Sequence, residues 1–158
     1  MAIEISNRQR LVPVARQEVI NVAAAALAAA GPTIPEPADS LIVLAFVRDP
    51  AIRKLNSTYR GQDKVTDVLS FPSDQEYNPD SDVYLGDIVI STDAAVRQAK
   101  EARHSVKREI NELIIHGVLH LCGYDHETDQ GQMNRFELAL RRVLIDSPKS
   151  ASLRKNGH

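Results

Sequence analysis

The chain has 158 residues, 43% hydrophobic and 4% aromatic with no Trp, and a formal charge of −2. That length fits one compact domain burying roughly two thirds of its unfolded surface, with a core resting on Leu, Ile, Val and Ala. The near-neutral balance excludes a general nucleic-acid signature, the single Cys122 excludes an intramolecular disulfide framework, and the mostly alanine run from Ala23 to Ala30 is too short to span a bilayer.

The N-terminus shows no basic segment leading into an apolar one, so a soluble, cytoplasmic protein with no membrane partner is expected. Charge is unevenly placed. From Asp74 to Asp87 there are five acidic residues and no Lys or Arg, while from Arg97 to Arg108 there are five Lys or Arg against the single acid Glu101. A local basic surface of that kind can meet a phosphate backbone whatever the net charge.

In chain order, Ile3 to Ile5 alternates apolar and polar residues and predicts a short first strand. Pro13 can open a helix that the alanine-rich stretch propagates to Ala30, and Gly31-Pro32 stops it. The prolines between Pro32 and Asp39 mark a loop. Leu41 to Val47 is a continuous β-rich apolar run, the pattern of a strand buried on both faces. Asp49-Pro50 reads as an N-cap followed by proline at the first helical position, opening a short helix to about Tyr59. Arg60 to Thr66 is a polar, glycine-bearing loop. Val68 to Phe71 predicts a third strand, ended by Pro72, and Leu85 to Ile90 a fourth.

Ser91-Thr92-Asp93 then offers N-caps for a helix with Ala95, Ala99 and Ala102 on one side. Ser105 can cap the next helix, with Ile110, Leu113, Ile114 and Gly117 inward and Gly123 as its stop. A last helix is expected from about Asp129 to Leu144. The fold class is α/β (α+β): a single domain over residues 1–146, with a small mixed four-stranded sheet and about five helices, followed by a flexible C-terminal tail over residues 147–158.

The stretch His116-Gly117-Val118-Leu119-His120-Leu121-Cys122-Gly123-Tyr124-Asp125-His126 carries the chemistry. At about 100° per residue, two histidines four apart share one helix face and can converge on one ion. Gly123 permits a left-handed turn, past which His126 can supply a third nitrogen. Three protein ligands with an open fourth position suit one catalytic Zn2+, although nickel or copper would bind three imidazoles as well. Cys122 points to the other side of this helix and reads as a small buried residue, not a ligand.

The spacing is similar to the metzincin zinc helix, but the glutamate that serves zinc peptidases as general base is here Gly117. Peptide hydrolysis is therefore a poor reading. Glu109 and Glu112 precede His116 on the same helix face, either orienting a histidine or standing as solvated carboxylates. In the polar loop, Arg60 can grip a phosphate bidentately or pair at the surface with Asp63 or Asp67. Asp125 can cap backbone amides in its turn. Arg97, Lys100, Arg103, Lys107 and Arg108 form a basic stripe only if one helix runs through Ser105.

His116 through His126, Arg60-Gly61 through Phe71-Pro72, and Leu85-Gly86-Asp87-Ile88 together resemble three blocks of the YbeY family of bacterial endoribonucleases, with no motif residue substituted. The resemblance covers roughly Leu41 to Leu144. It implies a single-strand-specific, zinc-dependent endoribonuclease acting in 3′-end maturation of small-subunit rRNA and in ribosome quality control. It implies His116, His120 and His126 as zinc ligands, with Arg60 and His116 as catalytic residues. The partners it implies are single-stranded rRNA and the small ribosomal subunit, with a ribosomal protein or assembly GTPase beside them.

On that expectation zinc would bring the pKa of a bound water towards neutrality, for attack on phosphorus or deprotonation of a ribose 2′-hydroxyl, with Arg60 stabilising the phosphate. With few aromatics for base stacking, RNA contact is expected to be mostly with the backbone and sensitive to salt. A non-catalytic, zinc-containing ribosome-assembly factor is the alternative, and a zinc hydrolase acting on peptides or small molecules a distant third.

Overall fold

Among the described residues, nine elements follow one another as β1 (Ala2–Asn7), α1 (Arg16–Ala30), β2 (Ser40–Val47), α2 (Asp49–Arg60), β3 (Val68–Pro72), β4 (Val83–Ser91), α3 (Thr92–Ala102), α4 (Val106–Leu121) and α5 (Gln132–Leu144). The computed structural model describes residues 2–32, 34, 39–75, 78, 80–125 and 127–146. The predicted tail over residues 147–158 lies outside them, as do residues 33 and 35–38 of the proline-rich loop. Among the described residues, no helix is long and apolar enough to cross a membrane.

The strands form one mixed sheet in the order β1-β2-β4-β3. β1 and β4 each pair with β2 in parallel, and β3 runs antiparallel beside β4. The four-stranded mixed sheet and five helices are those expected. α1, α4 and α5 close over one face, against Ile42, Leu44 and Phe46 of β2 and Ile88 and Ile90 of β4, all fully buried. On the other face a smaller cluster joins Ile52 of α2 to Val47, Leu69 and Val89.

β2 therefore departs from the expected strand buried on both faces. Leu41, Val43 and Ala45 are only half-buried, because α2 covers just part of the outer face. α1 begins at Arg16, three residues later than Pro13 suggested. Its first helical hydrogen bond runs from Val19 N–H to the Ala15 carbonyl, while the Gln9 side chain ties down both polar groups of Val12. Asp49 sits inside α2 and is not its cap. Its carboxylate accepts instead from the Ser91 hydroxyl and from Arg97. Ser91 and Ser105 do cap α3 and α4, accepting from Ala94 N–H and Arg108 N–H. Ala102 is exposed, unlike Ala95 and Ala99, because α3 ends there and Arg103 turns left-handed at φ 59. α5 starts later than Asp129, whose carboxylate reaches forward to the N–H groups of Gly131 and Met133.

α4 is the hub, packing against β3, β4, α1, α3 and α5. At Gly117 it approaches β4 so closely that a Cβ would stand 2.6 Å from Ile88 Cγ2. Replacing this glycine by alanine would gain about 1 kcal/mol of helix propensity. It would also force a fully buried isoleucine or the helix itself to move, at about 1–3 kcal/mol. Gly117→Ala is expected to lower the urea unfolding midpoint, and Gly117→Glu to lower it much further. An alanine variant as stable as the wild type would mean that this contact is slack.

Candidate active site

α4 presents His116 and His120 to a cleft of about 500 Å3 that Arg60, Asp67, Ser70 and Asp125 also line. The two Nε2 atoms are 3.1 Å apart, with ring centroids at 4.6 Å and planes at 71°. Two nitrogens at the usual zinc–nitrogen length on a tetrahedral ion would stand roughly 3.3 Å apart. The pair therefore has the spacing of two ligands of one ion. Gly123 takes φ 96 with nothing near its missing Cβ, so the chain leaves the helix by the left-handed turn expected of it. His126 lies outside the described residues.

His116 is oriented from behind. Its Nδ1 lies 2.5 Å from Oε1 of Glu137 on α5, and the other carboxylate oxygen accepts from Arg141 at 3.0 Å. With Nδ1–H donated to the carboxylate, Nε2 keeps its lone pair for the cleft, the tautomer a metal ligand needs. Burial pushes the Glu137 carboxyl up. The hydrogen bond from His116, with the charge of the neighbouring Arg141 guanidinium, outweighs it and holds Glu137 below the ordinary carboxylate range. The donor set thus fits a metal: convergent imidazole nitrogens, one of them backed by a buried acid.

Glu137 was not foreseen. It stands 21 residues from His116, and its trace in the sequence is an acid on the same buried stripe as Met133 and Leu140. The orienting role that Glu109 and Glu112 seemed to offer falls to it. Nor are those two solvated: both are buried. Glu109 faces His104 at 3.2 Å, and Glu112 lies among His104, Arg108 and Arg141. Burial, then repulsion from Glu112, raises the Glu109 carboxyl. His104, Glu109 and Glu112 bring one ligand atom each within 4.8 Å of one another, a grouping with the donor chemistry to hold a metal ion. Arg108 and Arg141 already face Glu112 in this second cluster, none of whose three members lines the cleft, although Arg141 also bonds Glu137 behind His116.

Arg60 pairs with neither of the acids suggested for it. Asp63 is taken by Arg53 at 2.8 Å, and Asp67 accepts from Gln98 and Val68 N–H. Arg60 instead donates to the Ser70 carbonyl at 2.5 Å and lies 5.6 Å from the centre of the Phe71 ring. The Ser70 hydroxyl donates to the Gly117 carbonyl at 3.0 Å, tying this wall of the cleft to the histidine helix. Asp125 accepts from Glu127 N–H, the turn role open to it. Cys122 is half-buried against the core, and burial pushes its thiol up. Ser105 does separate α3 from α4, so the basic stripe is broken. Arg97, Lys107 and Arg108 are paired with Asp49, Glu18 and Asp146, while Lys100 and Arg103 are exposed, as Arg97 and Lys107 also are.

If Glu137 orients a ligand histidine, Glu137→Gln keeps the shape and removes the charge. Zinc affinity, read by competition with a chromophoric chelator, is expected to fall about 10- to 100-fold. An unchanged affinity would reduce Glu137 to a packing role.

The family described as Endoribonuclease YbeY matches residues 4–143. Curated relatives bearing the name endoribonuclease YbeY include one from Moorella thermoacetica, 44% identical over 83% of this chain and 88% of its own. A second, from Thermodesulfovibrio yellowstonii, is 33% identical over 91% of this chain and 96% of its own. The solution structure of TM1509 from Thermotoga maritima superimposes with a TM-score of 0.60 and 25% identity, covering 98% of this chain and 93% of that one. With three-quarters and more of its length matched in sequence and the same fold around the histidine helix, the chain belongs to the endoribonuclease YbeY family.

Proposed function

We propose that this member of an RNA-cleaving family is a single-strand-specific, zinc-dependent endoribonuclease. One ion is held by His116, His120 and His126. The substrate is rRNA of the small ribosomal subunit, and the role is 3′-end maturation and ribosome quality control in the cytoplasm. A ribosomal protein or assembly GTPase would bring enzyme and RNA together. The observation that carries the reading is the pair of Nε2 atoms 3.1 Å apart, backed by Glu137 and facing Arg60 across one cleft.

The ion, when bound, supplies Lewis-acid polarisation and an activated water at neutral pH. The rest is the work of the chain. Glu137 holds the Nδ1 proton of His116, so the ring cannot rotate or change tautomer. Ser70 and Phe71 fix the Arg60 guanidinium, and its remaining N–H groups can grip phosphate oxygens in the fork geometry that suits them. That fixed positive charge would stabilise negative charge growing on the phosphate during cleavage. Tyr124 and Asp125 also line the cleft.

The test is cleavage of a labelled single-stranded fragment of small-subunit rRNA by metal-loaded wild type and His116→Ala, with thermal melts of both. Cleavage by the wild type alone, with the variant still folded, is the expected result. Equal cleavage would sink the nuclease reading and favour the assembly factor, as would loss of the fold together with the metal. Arg60→Ala is expected to lower the cleavage rate about a hundredfold, in the range of a lost charge-stabilising donor.

A further inference from the structure

Among the described residues, Tyr59 is the one aromatic side chain left open to solvent, 67% exposed. Phe46 is buried. Tyr84 is bonded to Asp87. Tyr124 and Phe136 pack edge-to-face against each other and the core. Tyr59 is the next-to-last residue of α2, immediately before Arg60. Its ring meets Phe71 edge-on at 5.5 Å and 67°, and Phe71 is the ring on which the Arg60 guanidinium also lies. Contacts then run without a break from Arg60 to Ser70 and on to Gly117, the residue after His116. Tyr59 does not itself line the cleft; it stands next to Arg60, which does, held against a ring but spending little of its own surface on the fold.

An aromatic of this kind next to a phosphate-binding cation matches a nucleotide, whose flat base and charged phosphate are one linkage apart. We propose that Tyr59, steadied by Phe71, is a stacking subsite for one unpaired nucleobase of an RNA strand whose phosphate lies at Arg60. The inference rests on the RNA reading above and adds a reason for single-strand preference. A base inside a duplex has both faces covered by its neighbours, whereas an unpaired base can place one on tyrosine. Because every base has a π-face, the subsite would tolerate any base identity. It would add one base contact to the mostly backbone contact expected from the sequence.

The experiment is a binding titration with the full chain as purified, using a short unstructured oligoribonucleotide that carries 2-aminopurine. The RNA is checked for intactness on a gel after each run. Tyr59→Ala is expected to weaken binding about ten- to a hundredfold, in line with the loss of one stacked base, and to abolish the fluorescence quenching that stacking produces. Tyr59→Phe should bind as the wild type does, since the ring and not the hydroxyl is used. An abasic oligonucleotide should bring wild type and Tyr59→Ala to the same affinity, and a duplex of equal length should not distinguish them. If Tyr59→Ala binds and quenches the single strand like the wild type, the subsite is overturned while the RNA reading stands. If the wild type binds neither RNA, the RNA reading falls and takes this inference with it.

Discussion

The contact of Gly117 with Ile88 is the constraint from which the site follows. α4 lies so close to the Ile88 side chain of β4 that residue 117 can carry no side chain of its own without displacing it, and this fixes the rotation of the helix about its axis. With residue 117 turned to the sheet, residues 116 and 120 turn to the cleft. The resemblance to a zinc-peptidase helix therefore breaks at this position for a steric reason. A glutamate there would point into Ile88 and away from any ion. What a peptidase places on the second residue of its motif, this fold cannot place there. The acid that touches the site, Glu137, reaches it from a different helix and meets the back of His116.

Much of the fold was legible because its signals are local. Serine caps before α3 and α4, the glycine after α4 and the alternating or continuous apolar runs each act within a few residues. All nine elements lie where such signals put them, to within a few residues. The misreadings share a cause. Asp49 resembles a cap in isolation, but Ser91 and Arg97, more than 40 residues away, claim its carboxylate. β2 looks like a strand buried on both faces, and only the short reach of α2 leaves the outer face half open.

The same division runs through the site. His116 and His120 declare themselves through helical spacing, and that spacing is what brings their nitrogens together. Glu137, Ser70 and Tyr59 have no local signature, since each acquires its position through packing between elements. Glu109 and Glu112 show the converse. Their spacing from His116 suggests a shared task, yet burial against His104, Arg108 and Arg141 commits them elsewhere. Periodicity tells which side chains share a face. It does not tell what the facing element brings.

β3 is one of the two outer strands of the sheet, and its residues line the cleft. An edge strand offers unpaired backbone groups, and proteins guard such edges against self-association with charge, proline or a covering element. Here Arg60 occupies the Ser70 carbonyl and Pro72 ends the strand, so the cation proposed to meet a phosphate also blunts the sheet edge. Protection of the sheet edge and the proposed phosphate contact thereby fall to one side chain. The loop and helix end that carry Arg60 are under two pressures at once, and only one of them concerns chemistry.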